Sequence, residues 1–372
     1  MNKNRKLELL ERKKYLEREI SELSVTQESF KILANAGYGA LGNQYFRYFD
    51  VKNAEAITLT GKVIIQLLEK GVNKFLSLSL KDNKDRCILS DTDSIGINLE
   101  DISNLFKTQC GEDFSSLEER INFLDFFSKE KILPKINSIL KDIEKRFNGN
   151  EGILGMKREN ICSSIIITGK KHYIMNVYDK EGIRYSEPKK KIMGIECVKS
   201  STPQLMRNLI KETIDYFFTH SNNDLIKIIN DCENKIYSEK DFSKIAFPKT
   251  VNGLKKYSSS SQTNNFLYEP KTPLHVRGSL RFNKWLKDNR LETKYSPIQE
   301  GEKIKYVYLK LPNIIKEDVI AWSSSDPPKE LKLETMIDFE RHFQIGYMNP
   351  IKTLLAAVGW KEKETISMSD LF

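Results

Sequence analysis

The chain has 372 residues, a net charge of +9, 39% hydrophobic and 30% charged residues. That length supports two or three domains with real cores, and the balance excludes a disordered or fibrous chain. No apolar run reaches the length of a membrane span, and residues 1–6 lead into a charged amphipathic stretch rather than an apolar signal core.

Residues 1–36 predict a continuous helix. Leu16, Ile20, Leu23, Gln27 and Phe30 recur in steps of three and four, with charge elsewhere. Glycines at 37, 39 and 42 predict a break. A second helix is expected from Ala54 to Phe75, with Ile57, Val63, Ile64, Leu67 and Leu68 on its apolar face. Residues 86–90 and 95–99 are apolar-rich runs around the polar tip Asp91-Thr92-Asp93-Ser94, the pattern of a β-hairpin. Residues 117–147 read as largely helical. Ile161 to Ile167 is a β-branched run that stops at Gly169. Tyr173 to Tyr178 reads as a strand, residues 179–182 as a turn, and Ile192 onward as strand again. Pro203 to Tyr237 returns to helix, with Ser201 or Thr202 as its cap and Pro203 at its first position. Residues 258–265 and 323–328 read as loops.

The five cysteines (Cys87, Cys110, Cys162, Cys197, Cys232) form no CxxC pair, so neither zinc nor a disulfide framework is indicated, and a reducing cytoplasm fits. Positive charge is concentrated. Eleven Lys/Arg against Glu269, Asp288 and Glu292 lie between Lys244 and Lys294, a local surplus of eight that fits either a polyanion contact or a solvated surface.

Four constellations carry chemistry. Asp91 and Asp93 at a turn are poor core material, because an unpaired ionised carboxylate is costly to bury. They are either an acidic turn or oxygen ligands for a hard cation such as Mg²⁺. Gln27, Lys31, Asn35 and Tyr38 share one helix face that ends at Gly39. A cation, amides and a ring suit a nucleotide, and equally a solvated face with one half-buried tyrosine. Gly169-Lys170-Lys171-His172-Tyr173 lies at a bend between strands and fits a phosphate-backbone contact or an exposed basic turn. Residues 189–196, Lys-Lys-Lys-Ile-Met-Gly-Ile-Glu, are again basic, with Lys199 behind them.

In order and spacing these motifs resemble family B DNA polymerases, most closely the replicative enzymes of T-even-like tailed phages. Lys31-x3-Asn35-x2-Tyr38-Gly39 resembles the fingers motif, and Asp91-Thr92-Asp93-Ser94 the palm signature. Lys170-Lys171-His172-Tyr173 resembles the primer-terminus motif, and residues 191–196 the segment leading to the thumb. Residues 41–48 and 273–278 add phage-type likeness.

The resemblance implies an α+β fold: a C-terminal fingers helix at 1–43, a palm with an antiparallel sheet at 44–200, a mostly helical thumb at 201–360 and a clamp-binding tail at 361–372. It implies nucleotidyl transfer with two Mg²⁺ ions, Asp93 as metal ligand, Asp91 close by, and Glu159 as a further palm carboxylate. Lys31 and Asn35 would meet the incoming deoxynucleoside triphosphate, with Tyr38 and Gly39 under the nascent pair. Lys170, Lys171, Tyr173, Lys191 and Lys199 would hold primer-template DNA, and Lys255, Lys256 and Arg277 would grip the duplex through phosphates. Met368, Leu371 and Phe372 would form an apolar plug for a sliding clamp.

The chain departs from the family pattern in places. Ala36 stands where serine is usual, Leu89-Ser90 where Tyr-Gly precedes the first aspartate, and His172 where an arginine is usual. The first palm aspartate should precede the fingers motif, yet residues 1–30 contain no aspartate. The expectation is therefore the C-terminal part of a split polymerase in the host-cell cytoplasm. An N-terminal partner chain would supply the exonuclease and the carboxylate that shares the Mg²⁺ ions. A non-catalytic DNA- and clamp-binding fragment is the alternative.

Overall fold

The computed structural model describes residues 3–111, 114–219, 222–258, 268–323 and 326–360. The elements run α1 (Lys3–Leu41), α2 (Val51–Leu80), β1 (Cys87–Asp91), β2 (Ser94–Ile97), α3 (Glu100–Cys110), α4 (Leu117–Phe127), α5 (Leu133–Arg146), β3 (Asn160–Gly169), β4 (His172–Lys180) and β5 (Ile183–Met193). They continue α6 (Gln204–Phe217), α7 (Asn222–Tyr237), α8 (Phe242–Ile245), β6 (Phe247–Thr250), α9 (Leu254–Tyr257), α10 (Leu274–Asp288), β7 (Lys303–Tyr308), β8 (Val319–Trp322), α11 (Phe339–Phe343) and α12 (Asn349–Val358). This is the expected α+β class, with one two-stranded and two three-stranded sheets among the described residues. The chain forms two compact units, residues 1–161 and 162–372, which divide inside the segment read as palm.

In the first unit α2 is the spine. Asp50 caps it, accepting from the Lys52 and Asn53 amides at 2.9 and 3.1 Å. Leu68, Val72 and Leu76 are buried against Ile132, Ile136 and Leu140 from the α4–α5 side. A π turn (Ser128–Ile132) joins α4 to α5 and ends just before Pro134. A second (Gln344–Met348) ends just before Pro350 at the start of α12. A proline ring cannot tolerate the carbonyl four residues back at its usual helical distance, and a π turn opens that space.

The second unit has one large core built from Ile174, Met206, Ile210, Phe282, Trp322 and Tyr347 with their neighbours. It joins sheet β3-β4-β5 to helix α6 and to sheet β6-β7-β8. Helix α10 lies close on β8: a Cβ at Gly278 would come within 3.2 Å of the Ala321 nitrogen.

Several expectations are corrected. α1 runs through Gly37 and Gly39 and ends at Leu41. A helical glycine costs only about 1 kcal/mol relative to alanine, too little to stop a long helix. The stripe read on α1 stays open, with Leu23 63% and Phe30 68% exposed. The strand expected from Ile192 onward begins at Ile183 and ends at Met193. Pro203 itself is the N-cap of α6, and no side chain caps that helix. Helix α3 was not foreseen. The 258–265 loop largely, and the tail with Met368, Leu371 and Phe372 wholly, lie outside the described residues.

Candidate polymerase active-site elements

The acidic hairpin is as expected. Asp91 pairs with Ser94, leaving Thr92 and Asp93 as a two-residue turn. The Asp93 amide donates to the Asp91 carbonyl at 2.7 Å, and Ser94 Oγ donates to the same oxygen at 3.2 Å. Thr92 has φ of 56°, a left-handed conformation that a β-branched residue rarely adopts. Its hydroxyl donates to Asp91 Oδ1 at 3.0 Å. The turn leaves Asp93 exposed and Asp91 half-buried. Strained turns of this kind persist where the surroundings over-determine them, and they cluster at ligand sites.

The base of the hairpin holds residues that the sequence reading missed. Arg86, 1% exposed, donates from Nη1 and Nη2 to Asp82 at 2.8 and 2.6 Å. Its Nη2 and Nε also donate to Asp101 Oδ2 at 2.8 and 3.1 Å. The Arg86 hydrogen bond is the main cause that brings the Asp82 carboxyl down to about 2. Lys84 and then Arg86 hold the Asp101 carboxyl below the usual carboxylate range. An arginine beside an apolar run, with aspartates four residues before and fifteen after, was the available signal.

Lys31, Asn35, Tyr38 and Gly39 all lie on the last turns of α1 and are exposed. Glu159 is exposed just before β3.

In the second unit, Lys170 and Lys171 form the turn between β3 and β4, both exposed, Lys171 at φ of 62°. His172 Nδ1 lies 2.8 Å from the Lys170 carbonyl oxygen and braces the turn. Gly194, at φ of 69°, packs against it, and any side chain there would collide with the Lys171 carbonyl and the His172 ring. Tyr173 is only 6% exposed and sits opposite Met193, so it is an interior residue of the sheet. Lys191 is half-buried on β5 opposite Met175. Lys199 is half-buried and pairs with Glu196 at 2.8 Å.

The basic segment divides. Lys255 and Lys256 stand exposed on α9. Arg277 instead pairs with Asp318, which Arg341 also holds at 3.1 Å. Lys294 pairs with Glu330, and Lys244 lies near Glu239 and Asp241. A cleft of about 450 Å³ is lined by Lys199, Ser201, Thr202, Lys249, His275 and Tyr306, among others. Burial, with the Lys249 charge, holds the His275 imidazole below its ordinary range.

Residues 2–129, which hold the long first helix and the acidic hairpin, match the model of DNA polymerase family B. Over nearly its whole length the chain is similar to T4-type phage polymerases. It is 31% identical over 362 residues to the DNA-directed DNA polymerase of Enterobacteria phage T4, covering 94% of this chain and 39% of that protein. The DNA-directed DNA polymerase of Escherichia phage RB69 is 31% identical over 355 residues, 92% of this chain and 38% of that protein. A shorter stretch of 86 residues is 37% identical to the DNA polymerase alpha catalytic subunit of Arabidopsis thaliana, 23% of this chain and 5% of that subunit. The chain thus spans about two fifths of the length of the phage relatives it matches.

Proposed function

We propose that this chain supplies the fingers helix, the acidic palm hairpin and the thumb of a template-directed DNA polymerase. The observation that carries this is the exposed Asp91–Asp93 turn in a chain similar to phage polymerases over more than nine tenths of its length. Asp91 and Asp93 suit Mg²⁺, which is typically held by one or two carboxylates together with substrate phosphates and water. Among the described residues no group of three or more His, Cys, Asp or Glu converges as a metal site. In the split reading a further carboxylate for the two-metal centre comes from an N-terminal partner chain that also carries the exonuclease. When bound, the ions would activate the primer 3′-hydroxyl and stabilise the departing pyrophosphate.

The chain's own residues have distinct tasks in this reading. Asp93 presents oxygen ligands at the tip, and Asp91 supports it from the strand end. Lys31 meets the triphosphate charge, and Asn35 and Tyr38 orient the nucleotide. Lys170 and Lys171 hold the primer backbone while Lys255 and Lys256 grip duplex phosphates without reading sequence. Lys199 and Arg277 already hold intramolecular carboxylates, so their share of DNA contact is the smaller. The 368–372 segment would dock on a sliding clamp.

The test is co-expression with the polypeptide that carries the rest of the polymerase in the same genome, followed by Mg²⁺-dependent primer extension. Extension by the pair, absent for either chain alone and lost with Asp93→Ala, is the expected result. A stable DNA-binding complex without extension would favour a non-catalytic DNA- and clamp-binding module.

A further inference from the structure

We propose that Arg86, with Asp82 and Asp101, is a positioning residue that sets the register of the β1–β2 hairpin and so decides which carboxylate stands at its tip. This role rests on the transfer reading above for what the hairpin carries.

The hairpin is short, and its own register rests on Ile95 and Ile97 packing on the first-unit core and on Gly96 standing close opposite Leu89. β1 has five residues and β2 only four. β1 alternates half-buried and exposed positions, whereas every residue of β2 is half-buried. The ladder already shifts between Cys87 and Leu89. A slip of one residue would turn every side chain, these isoleucines included, to the other face. Here a slip of one residue would make residues 91–93 or 92–94 the turn and so change where Asp91 and Asp93 stand.

The Arg86 site adds an anchor at the base of this short ladder. All five guanidinium donors have acceptors: Asp82 and Asp101 take most, and Lys84 O accepts from Nη1 at 3.2 Å. Asp82 follows α2, and Asp101 lies in the first turn of α3. The fork therefore ties the start of the hairpin to the ends of both flanking helices. Backbone contacts fix the same point. Asn73 Oδ1, on α2, accepts from the Arg86 and Cys87 amides at 2.9 and 3.2 Å. The Asn98 amide donates to the Arg86 carbonyl at 2.8 Å, the rung that closes the hairpin base. A buried ion pair adds little net stability over well-packed apolar side chains, and its best-attested use is to specify register. The placement seen here satisfies all five donors at once, which a shifted strand would have to give up.

Two variants of the full chain test this. Arg86→Met combined with Asp82→Asn and Asp101→Asn removes the cluster without stranding a charge. Arg86→Lys keeps the charge but not the fork. Hydrogen exchange is followed at the Asp93, Ser94 and Asn98 amides, with exchange in α5 as the measure of intact folding. Both variants are expected to keep α5 protected while hairpin exchange rises about tenfold. In the assembled polymerase the Mg²⁺ concentration for half-maximal extension should rise about tenfold, with DNA affinity unchanged. A purely structural role would lower the folded fraction and leave the Mg²⁺ requirement of the folded enzyme alone. Unchanged hairpin exchange in a folded triple variant overturns the proposal. Should the triple variant not fold, Arg86→Lys decides by the same exchange comparison. If the wild-type assembly does not extend primers, the transfer reading fails, and exchange still decides whether Arg86 sets the register.

Discussion

Acid should weaken the second unit through one histidine. His342 is fully buried, its Nε2 accepts the Tyr308 amide at 3.0 Å, and Phe247 and Tyr308 pack on its ring. Burial is the main cause that lowers its imidazole from 6.5 to about 3, against a smaller opposing effect of the Ile245 backbone and with help from the Arg341 charge. The folded state holds this histidine neutral where the unfolded chain protonates it. Its contribution is therefore fully present above about pH 6.5 and is lost progressively as pH falls toward 3. Between pH 7 and pH 5 the loss is about 2 kcal/mol, and over the whole window roughly 4–5 kcal/mol. All three tryptophans (Trp285, Trp322, Trp360) lie in the second unit, so their fluorescence during urea unfolding reports on it. His342→Gln removes the titration and retains an acceptor for the Tyr308 amide. Carboxylates titrate alike in both proteins and cancel in the comparison. The wild type should lose about 2 kcal/mol more than the variant between pH 7 and pH 5. Parallel pH profiles would refute the reasoning.

Other expectations are as concrete. Asp93→Asn should lower primer extension by the assembled enzyme about a thousandfold while leaving DNA affinity within a factor of about three; an active variant would remove Asp93 from the metal site. Replacing Lys255 and Lys256 by glutamine should weaken binding to duplexes of any sequence and reduce the salt slope of log affinity by about 1–2. An unchanged slope would mean that α9 does not touch phosphates. Thr213 Oγ1 donates to the Leu209 carbonyl at 2.9 Å and lies 2.7 Å from the Tyr347 hydroxyl. Thr213→Val leaves that buried phenol only the weak Cys232 thiol as partner and should cost about 1–3 kcal/mol in urea unfolding. Gly194→Ala should displace the Lys170–Lys171 turn and weaken primer-terminus binding more than it lowers the melting temperature, a contrast that binding and melting curves together can read.

Much of the fold was legible where periodicity and turn chemistry agreed. The hairpin at 91–94 was readable because apolar runs flank a polar tip, and the helices at 54–75 and 117–147 because their apolar stripes are clear. α1 overran its expected end because glycine weakens a helix without stopping it. The Ile192 strand was placed too late, since Pro188 and the lysines of β5 hide its earlier residues from any apolar pattern. Tyr173, expected with the lysines at the primer terminus, is interior to its sheet, because alternation along a strand assigns faces but not which face is covered. Arg277 read as duplex-facing and holds Asp318, a partner forty-one residues away that no local pattern reveals. Arg86 escaped notice for a similar reason: its partner Asp101 comes into reach only once α3 has formed.

The open stripe on α1 has an energetic consequence for the face proposed to meet the nucleotide. Leu16, Ile20, Leu23 and Phe30 are all exposed on the same helix that carries Lys31, Asn35 and Tyr38. Isolated helices are marginal in water, and most helical stability comes from packing an apolar face. Whatever covers the stripe must therefore also quiet the turns that present the cation, the amide and the ring. By linkage, a cover that binds only the helical form stabilises it by an amount set by its own concentration and affinity. Competence to hold a triphosphate would then rise and fall with occupancy of a surface that never touches the nucleotide.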